Sequence, residues 1–207
     1  MAIDSLLRSF VNNCWLSRKI AGVIATVGIS PNSLSLLSLF SAAIAGLLFA
    51  IAGLKRLHLL LLFAGILVAV NAFLDTFDGV LAREAGIASK KGDFLDHVID
   101  RYADMFIFCG IIFGGYVSWE IGLIAIIGIL LTSYMGTQAQ AVGLGRIYGG
   151  MVGRADRLLL IIAATILTWL YPYHALGFSF LGWCMLILAV LSNLTALQRF
   201  FYAWRRL

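Results

Sequence analysis

Seven of the ten acidic residues of this 207-residue chain fall between Asp75 and Asp104, and their spacing suggests a chemistry. On a helix, Asp75, Asp78, Gly79 and Ala82 stand at i, i+3, i+4 and i+7 and share one face. Asp93, Asp96, Asp100 and Asp104 recur with the same helical spacing. Two helices joined by a short loop are antiparallel neighbours, so the two carboxylate faces meet at one depth. The carboxylates of Asp75, Asp78, Asp96 and Asp100 then repel one another unless cations sit among them. An oxygen-only donor set suits hard ions such as Mg²⁺ or Mn²⁺, and two divalent ions balance four negative charges. No Cys or paired His spacing argues for zinc. Gly79 and Ala82 leave the same helix face nearly bare, so a bulky ligand can approach the backbone. Arg83 offers a cation to a phosphate. Small residues in membrane helices also serve helix packing; beside these aspartates they point to a nucleotide diphosphate.

The elements that position these residues are read from composition. The chain is 62% hydrophobic and 12% charged, with a mean hydropathy of +0.99. Such an excess of apolar surface implies lipid as the surrounding solvent. Six stretches are long enough to span a bilayer as helices, near residues 33–54, 58–83, 93–117, 120–143, 155–171 and 175–198. Before them, Leu6, Leu7, Phe10, Cys14 and Trp15 recur at helical spacing among Arg8, Asn12, Arg18 and Lys19. That pattern predicts an amphipathic surface helix over residues 3–27. Asp4, Arg8, Asn12 and Asn13 argue against a cleavable signal peptide. The expected fold is all-α, a single membrane-embedded domain over residues 1–207.

Six spans put both termini and the loops near 84–92 and 144–154 on one side. That side carries thirteen Lys and Arg residues against two, Lys55 and Arg56, on the other. The bias marks it as cytoplasmic. The net charge of +5 then speaks to orientation and anionic headgroups, and no nucleic acid is expected. The three cysteines (Cys14, Cys109 and Cys184) form no disulfide or zinc pattern and read as small apolar side chains.

The run Asp75-Thr-Phe-Asp78-Gly79-Val-Leu-Ala82-Arg83, eight residues, Gly92, three residues, Asp96, three residues, Asp100 resembles the signature of the CDP-alcohol phosphotransferase family, with all eight positions filled. Pro31-Asn32-Ser33-Leu34-Ser35 resembles an element that precedes the family's first span. Ser133-Tyr134 and Gly153-Arg154-Ala-Asp-Arg157-Leu resemble later ones. The resemblance implies two Mg²⁺ or Mn²⁺ ions held by Asp75, Asp78, Asp96 and Asp100, with Asp100 also the general base. It implies a CDP-alcohol donor held by Asn32, Ser33, Leu34, Ser35, Asp75, Gly79, Ala82, Arg83 and Ser89. It further implies a homodimer in a cell membrane of archaeal or bacterial type, with the active site on the cytoplasmic side.

Within the family, the stretch from Gly92 to Asp104 and the Gly153–Arg157 stretch resemble the synthases of phosphatidylinositol phosphate and its archaeal counterpart. The acceptor is then a polar alcohol or sugar phosphate, and Arg154, Arg157 and Arg199 are candidates to hold it. One departure lies after Ser133-Tyr134, where those synthases carry Lys-x-Arg and this chain has Gly136 and Gln138. Gln138 joins the acceptor candidates as an amide that a polyol can bond. Glycerol phosphate, serine or another polyol remain alternative acceptors. His97 is expected off the metal face, in a structural role. Arg101 is expected to pair with Asp104 or Asp93. An ion- or proton-coupled transporter is a second reading of intramembrane carboxylates, but it calls for a mid-membrane site and a repeat, and no repeat is visible. A scaffold whose acids merely pair with arginines leaves Gly79 and Ala82 on the carboxylate face unexplained.

Overall fold

The computed structural model describes residue 19, residues 30–84 and residues 86–207. The surface helix expected over 3–27 lies outside the described residues, save Lys19. The described residues form six helices: α1 (Pro31–Lys55), α2 (His58–Glu84), α3 (Lys90–Phe113), α4 (Trp119–Ala141), α5 (Arg154–Leu170) and α6 (Phe180–Trp204). The only bridge among them is an isolated one between Ala175 and Phe178. Each connection reverses the direction of the chain, yet α3 packs mainly on α1 and α5 on α2 and α6, not on the helices that precede them. The start of α1, the end of α2 and the starts of α3 and α5 therefore share one end of the bundle with the ends of α4 and α6.

Local signals set the helix ends. Ser30 Oγ accepts from the Ser33 N–H at 3.1 Å and Pro31 opens α1. Ser89 Oγ accepts from the Gly92 N–H at 3.1 Å, and Asp93 in the first turn of α3 complements its positive end. The last helix begins five residues later than the expected 175, because Ala175 and Phe178 close a tight turn through Leu176 and Gly177, both at positive φ.

The core lies between the helices around Phe49, Leu61, Ile107, Phe108, Leu181 and Leu188. A methyl group on Gly110 would run into the backbone of Gly46, and one on Gly53 into the backbone of Gly114. The glycines thus let α1 and α3 touch backbone to backbone, as small residues do between packed membrane helices. Buried polar groups tie the helices further. Asn71 Nδ2 donates to the Ser38 carbonyl at 3.0 Å, and Thr132 Oγ1 donates to the Ser192 carbonyl at 2.8 Å.

Four helices, α1, α2, α4 and α6, are long and apolar enough to cross a membrane. Their outer faces expose large apolar side chains such as Phe40, Leu47, Leu123 and Val190. By composition α3 and α5 fall short of the six spans expected. Charged residues from Lys90 to Asp104 occupy the first half of α3, and α5 has only 17 residues and opens on Arg154, Asp156 and Arg157. Those charges are what the bundle gathers at one end.

Candidate active site

Asp75 and Asp78 stand near the end of α2, and Asp96 and Asp100 in the first turns of α3. The short connection between these helices brings the four together. Carboxylate oxygens of Asp75, Asp78 and Asp96 all lie within 4.8 Å of one another. Asp78 is buried, and Ser35 Oγ donates to its Oδ2 at 2.5 Å. Next to Ser35, Leu34 is buried against Phe77, Val80 and Leu81, which fixes the start of α1 on the end of α2. Asp100 is also buried. Its Oδ2 lies 3.1 Å from Arg101 Nη1 and its Oδ1 lies 2.7 Å from Arg154 Nη1. The guanidinium of Arg154 thus occupies Asp100 Oδ1. The converging carboxylates beside it form an oxygen-only donor set, which fits a hard divalent cation.

The residues expected at the donor side surround the same end. Asn32 and Ser33 are exposed at the first turn of α1. At Gly92 a Cβ would sit 3.3 Å from Ser89 Oγ and 3.7 Å from Asn32 Oδ1, so Asn32 and Ser89 flank the start of α3. At Gly79 a Cβ would sit 3.3 Å from Arg83 Nη1, so the bare helix face lies directly under that guanidinium. Ala82, one turn on from Gly79, is half-buried.

On the other side of Asp100 opens a hollow bordered by Arg101, Arg146, Arg154, Arg157 and Arg199. Arg154 reaches three carboxylates, with Nη1 2.5 Å from Asp75 and 2.7 Å from Asp100 and Nε 3.2 Å from Asp104. Arg157 is buried and its Nη2 lies 2.8 Å from Asp104 Oδ2. Arg199 donates to three backbone carbonyls: Thr132 at 2.6 Å, Gly149 at 2.8 Å and Tyr148 at 3.2 Å. A Cβ at Gly136 would sit 3.2 Å from Arg199 Nη1, so the glycine makes room for that side chain. Gln138 is exposed and is not part of the hollow's lining.

Three features escaped sequence reasoning. Asp104 shares the helical spacing of the metal-side aspartates, yet it lies one turn further from the helix start and pairs with Arg154 and Arg157. Arg101 pairs with its neighbour Asp100 and not with Asp104 or Asp93 as expected. His97 meets Arg146 through both ring nitrogens and lies 3.3 Å from Asp93 Oδ1. Arg146 sits in a glycine-rich loop, where nothing in the residue pattern marks it out.

A model of the CDP-alcohol phosphatidyltransferase family matches residues 28–203 of this chain. The archaetidylinositol phosphate synthase of Pyrococcus horikoshii is 33% identical over 189 residues, 91% of this chain and 91% of that protein. Among solved structures, Mycobacterium tuberculosis phosphatidylinositol phosphate synthase with CDP-DAG bound superposes with a TM-score of 0.76 at 26% identity, over 92% of this chain and 94% of that one. The same synthase in complex with manganese and citrate also gives a TM-score of 0.76 at 26% identity, over 91% and 88% of the two chains.

Proposed function

This chain belongs to the CDP-alcohol phosphatidyltransferase family, and from that membership we propose that it moves the phospho-alcohol group of a CDP-linked lipid onto a phosphorylated polyol such as inositol phosphate, with release of CMP. The observation that carries this reading is the junction of two unlike surfaces at Asp100: converging carboxylates on one side and an arginine-bordered hollow on the other.

Asp75, Asp78, Asp96 and Asp100 are proposed to hold two Mg²⁺ or Mn²⁺ ions, as the manganese complex of the mycobacterial relative supports. When bound, these ions neutralise the donor's diphosphate and favour CMP as leaving group. The chain's own residues do the rest. Asn32, Ser33, Ser89, Gly79, Ala82 and Arg83 hold the CDP moiety, with Gly79 and Ala82 admitting it close to the α2 backbone. Ser35 keeps Asp78 oriented through its 2.5 Å hydrogen bond, and Leu34 anchors that stretch against α2.

The acceptor enters from the arginine side. Its hydroxyl oxygen bonds to the phosphorus that carries the donor's alcohol as the bond from that phosphorus to CMP breaks. Asp100, which faces both compartments, takes the hydroxyl proton. Arg154, placed between Asp75, Asp100 and Asp104, contacts the acceptor, while Arg157 and Arg199 shape the wall behind it. The chain is proposed to cross the membrane six times as a homodimer, with this end at the cytoplasmic face. There the charges of α3 and α5 meet headgroups and water instead of hydrocarbon.

The test is CMP release by purified protein from a CDP-linked lipid with Mg²⁺ or Mn²⁺, across inositol phosphate, glycerol phosphate, inositol and serine. Release with a phosphorylated polyol supports the reading. No release with any acceptor would overturn it, and preference for serine would move the acceptor assignment.

A further inference from the structure

We propose that Arg146, on the loop between α4 and α5, is a specificity-determining residue of the acceptor site, where it takes the phosphate of a phosphorylated acceptor. The inference rests on the transfer reaction proposed above and adds to it the group that selects an anionic alcohol. Five arginines border the hollow, and they differ in what already balances their charge. Arg154 faces three carboxylates, Arg157 faces Asp104, and Arg101 faces Asp100. Arg199 spends three N–H groups on backbone carbonyls and holds the loop to α4 and α6.

Arg146 is held differently. Its two terminal nitrogens meet the two ring nitrogens of His97, and its guanidinium carbon stands 5.0 Å from the centre of the Tyr148 ring. A neutral imidazole has one accepting nitrogen. At most one of the two contacts is therefore a hydrogen bond, and the other guanidinium N–H is open to a ligand oxygen. Neither an imidazole nor a ring face cancels a full positive charge. A phosphate oxygen at this position gains a charge-assisted hydrogen bond without first breaking an ion pair.

The scaffold fixes Arg146 in place. Gly143, Gly145 and Gly150 adopt positive φ, which lets the loop fold back over the hollow. Thr195 Oγ1 accepts from the N–H groups of Met151 and Val152, both at 3.2 Å, and Arg199 holds the carbonyls of Tyr148 and Gly149. Helix α4 brings no cation of its own to the hollow. Gly136 presents no side chain there, and Gln138 lies outside the lining.

The experiment compares the unaltered full-length protein with Arg146→Gln and Arg146→Lys in CMP release from a CDP-linked lipid. Inositol 1-phosphate, glycerol 3-phosphate and unphosphorylated inositol serve as acceptors, and inorganic phosphate as a competitor. Arg146→Gln is expected to raise KM for the phosphorylated acceptor about tenfold to a hundredfold, the worth of one hydrogen bond to a charged group. It is expected to weaken inhibition by inorganic phosphate in parallel and to leave kcat and the donor KM essentially unchanged. Arg146→Lys is expected to recover part of the loss. A rise in KM that is equal for inositol and its phosphate overturns the proposal, as does a fall in kcat at constant acceptor KM, or no change at all. If the unaltered protein releases CMP but does not distinguish inositol from its phosphate, this inference fails while the transfer reaction stands. If it releases none, both fail together.

Discussion

Replacing Arg157 with methionine is expected to destabilise the protein by several kcal/mol although the residue touches no substrate in this account. Arg157 and Asp104 are each 2% exposed, with Arg157 Nη2 2.8 Å from Asp104 Oδ2. Losing one member of a buried ion pair leaves the other charge unbalanced and costs about 3–5 kcal/mol. After Arg157→Met, Asp104 keeps Arg154 Nε at 3.2 Å from its other oxygen, which places that variant near the lower figure, about 3 kcal/mol. Asp104→Asn strands the buried Arg157 and removes one of the three carboxylates of Arg154, which places it near the upper figure, about 5 kcal/mol. The double variant removes both charges, so its loss is expected to fall short of the sum of the singles by about 1–3 kcal/mol. The assay is unfolding of the detergent-solubilised protein in increasing dodecyl sulfate, run on all four forms. Arg157→Met within about 0.5 kcal/mol of the parent, the range of an ordinary surface change, or two losses that simply add, would refute a coupled buried pair.

Other consequences follow from the same geometry. Asp100→Asn is expected to slow CMP release by at least about a hundredfold, the lower range for a lost general base, while equilibrium binding of the CDP-linked lipid persists. Gly110→Val drives a side chain into the backbone of Gly46 and is expected to cost about 1–3 kcal/mol in the same unfolding assay, as overpacking does. Thr195→Val takes the acceptor from the N–H groups of Met151 and Val152. It is expected to raise the acceptor KM by loosening the loop, with the donor KM unmoved, as initial-rate kinetics would show.

Much of the carboxylate site was legible because it is local. Asp75 and Asp78 share a helical face by spacing alone, as do Asp96 and Asp100, and a five-residue link between α2 and α3 leaves them little choice but to meet. The helices were legible for a similar reason, since long apolar stretches between proline, glycine and serine signals have one economical fold in lipid. The acceptor side was legible only in part, because it is assembled from residues between Asp100 and Arg199, nearly half the chain. Asp104 looks like a fifth member of the carboxylate array until α5 brings Arg154 and Arg157 against it. Arg199 looks like one more positive charge at a helix end until Gly136 and the carbonyls of Tyr148 and Gly149 show it to be a clasp. The departure at Gly136 was visible in the sequence, but its meaning depends on the side chain that fills the space.

Asp75, Asp78, Asp96 and Asp100 are proposed to form together a site for two divalent ions. Its most direct test is a Mn²⁺ titration of the purified protein in the presence of CDP, followed by electron paramagnetic resonance of free and bound ion. Two bound ions per chain are expected, with both lost or greatly weakened in Asp75→Asn and Asp96→Asn. Unchanged Mn²⁺ binding in those two variants would contradict it.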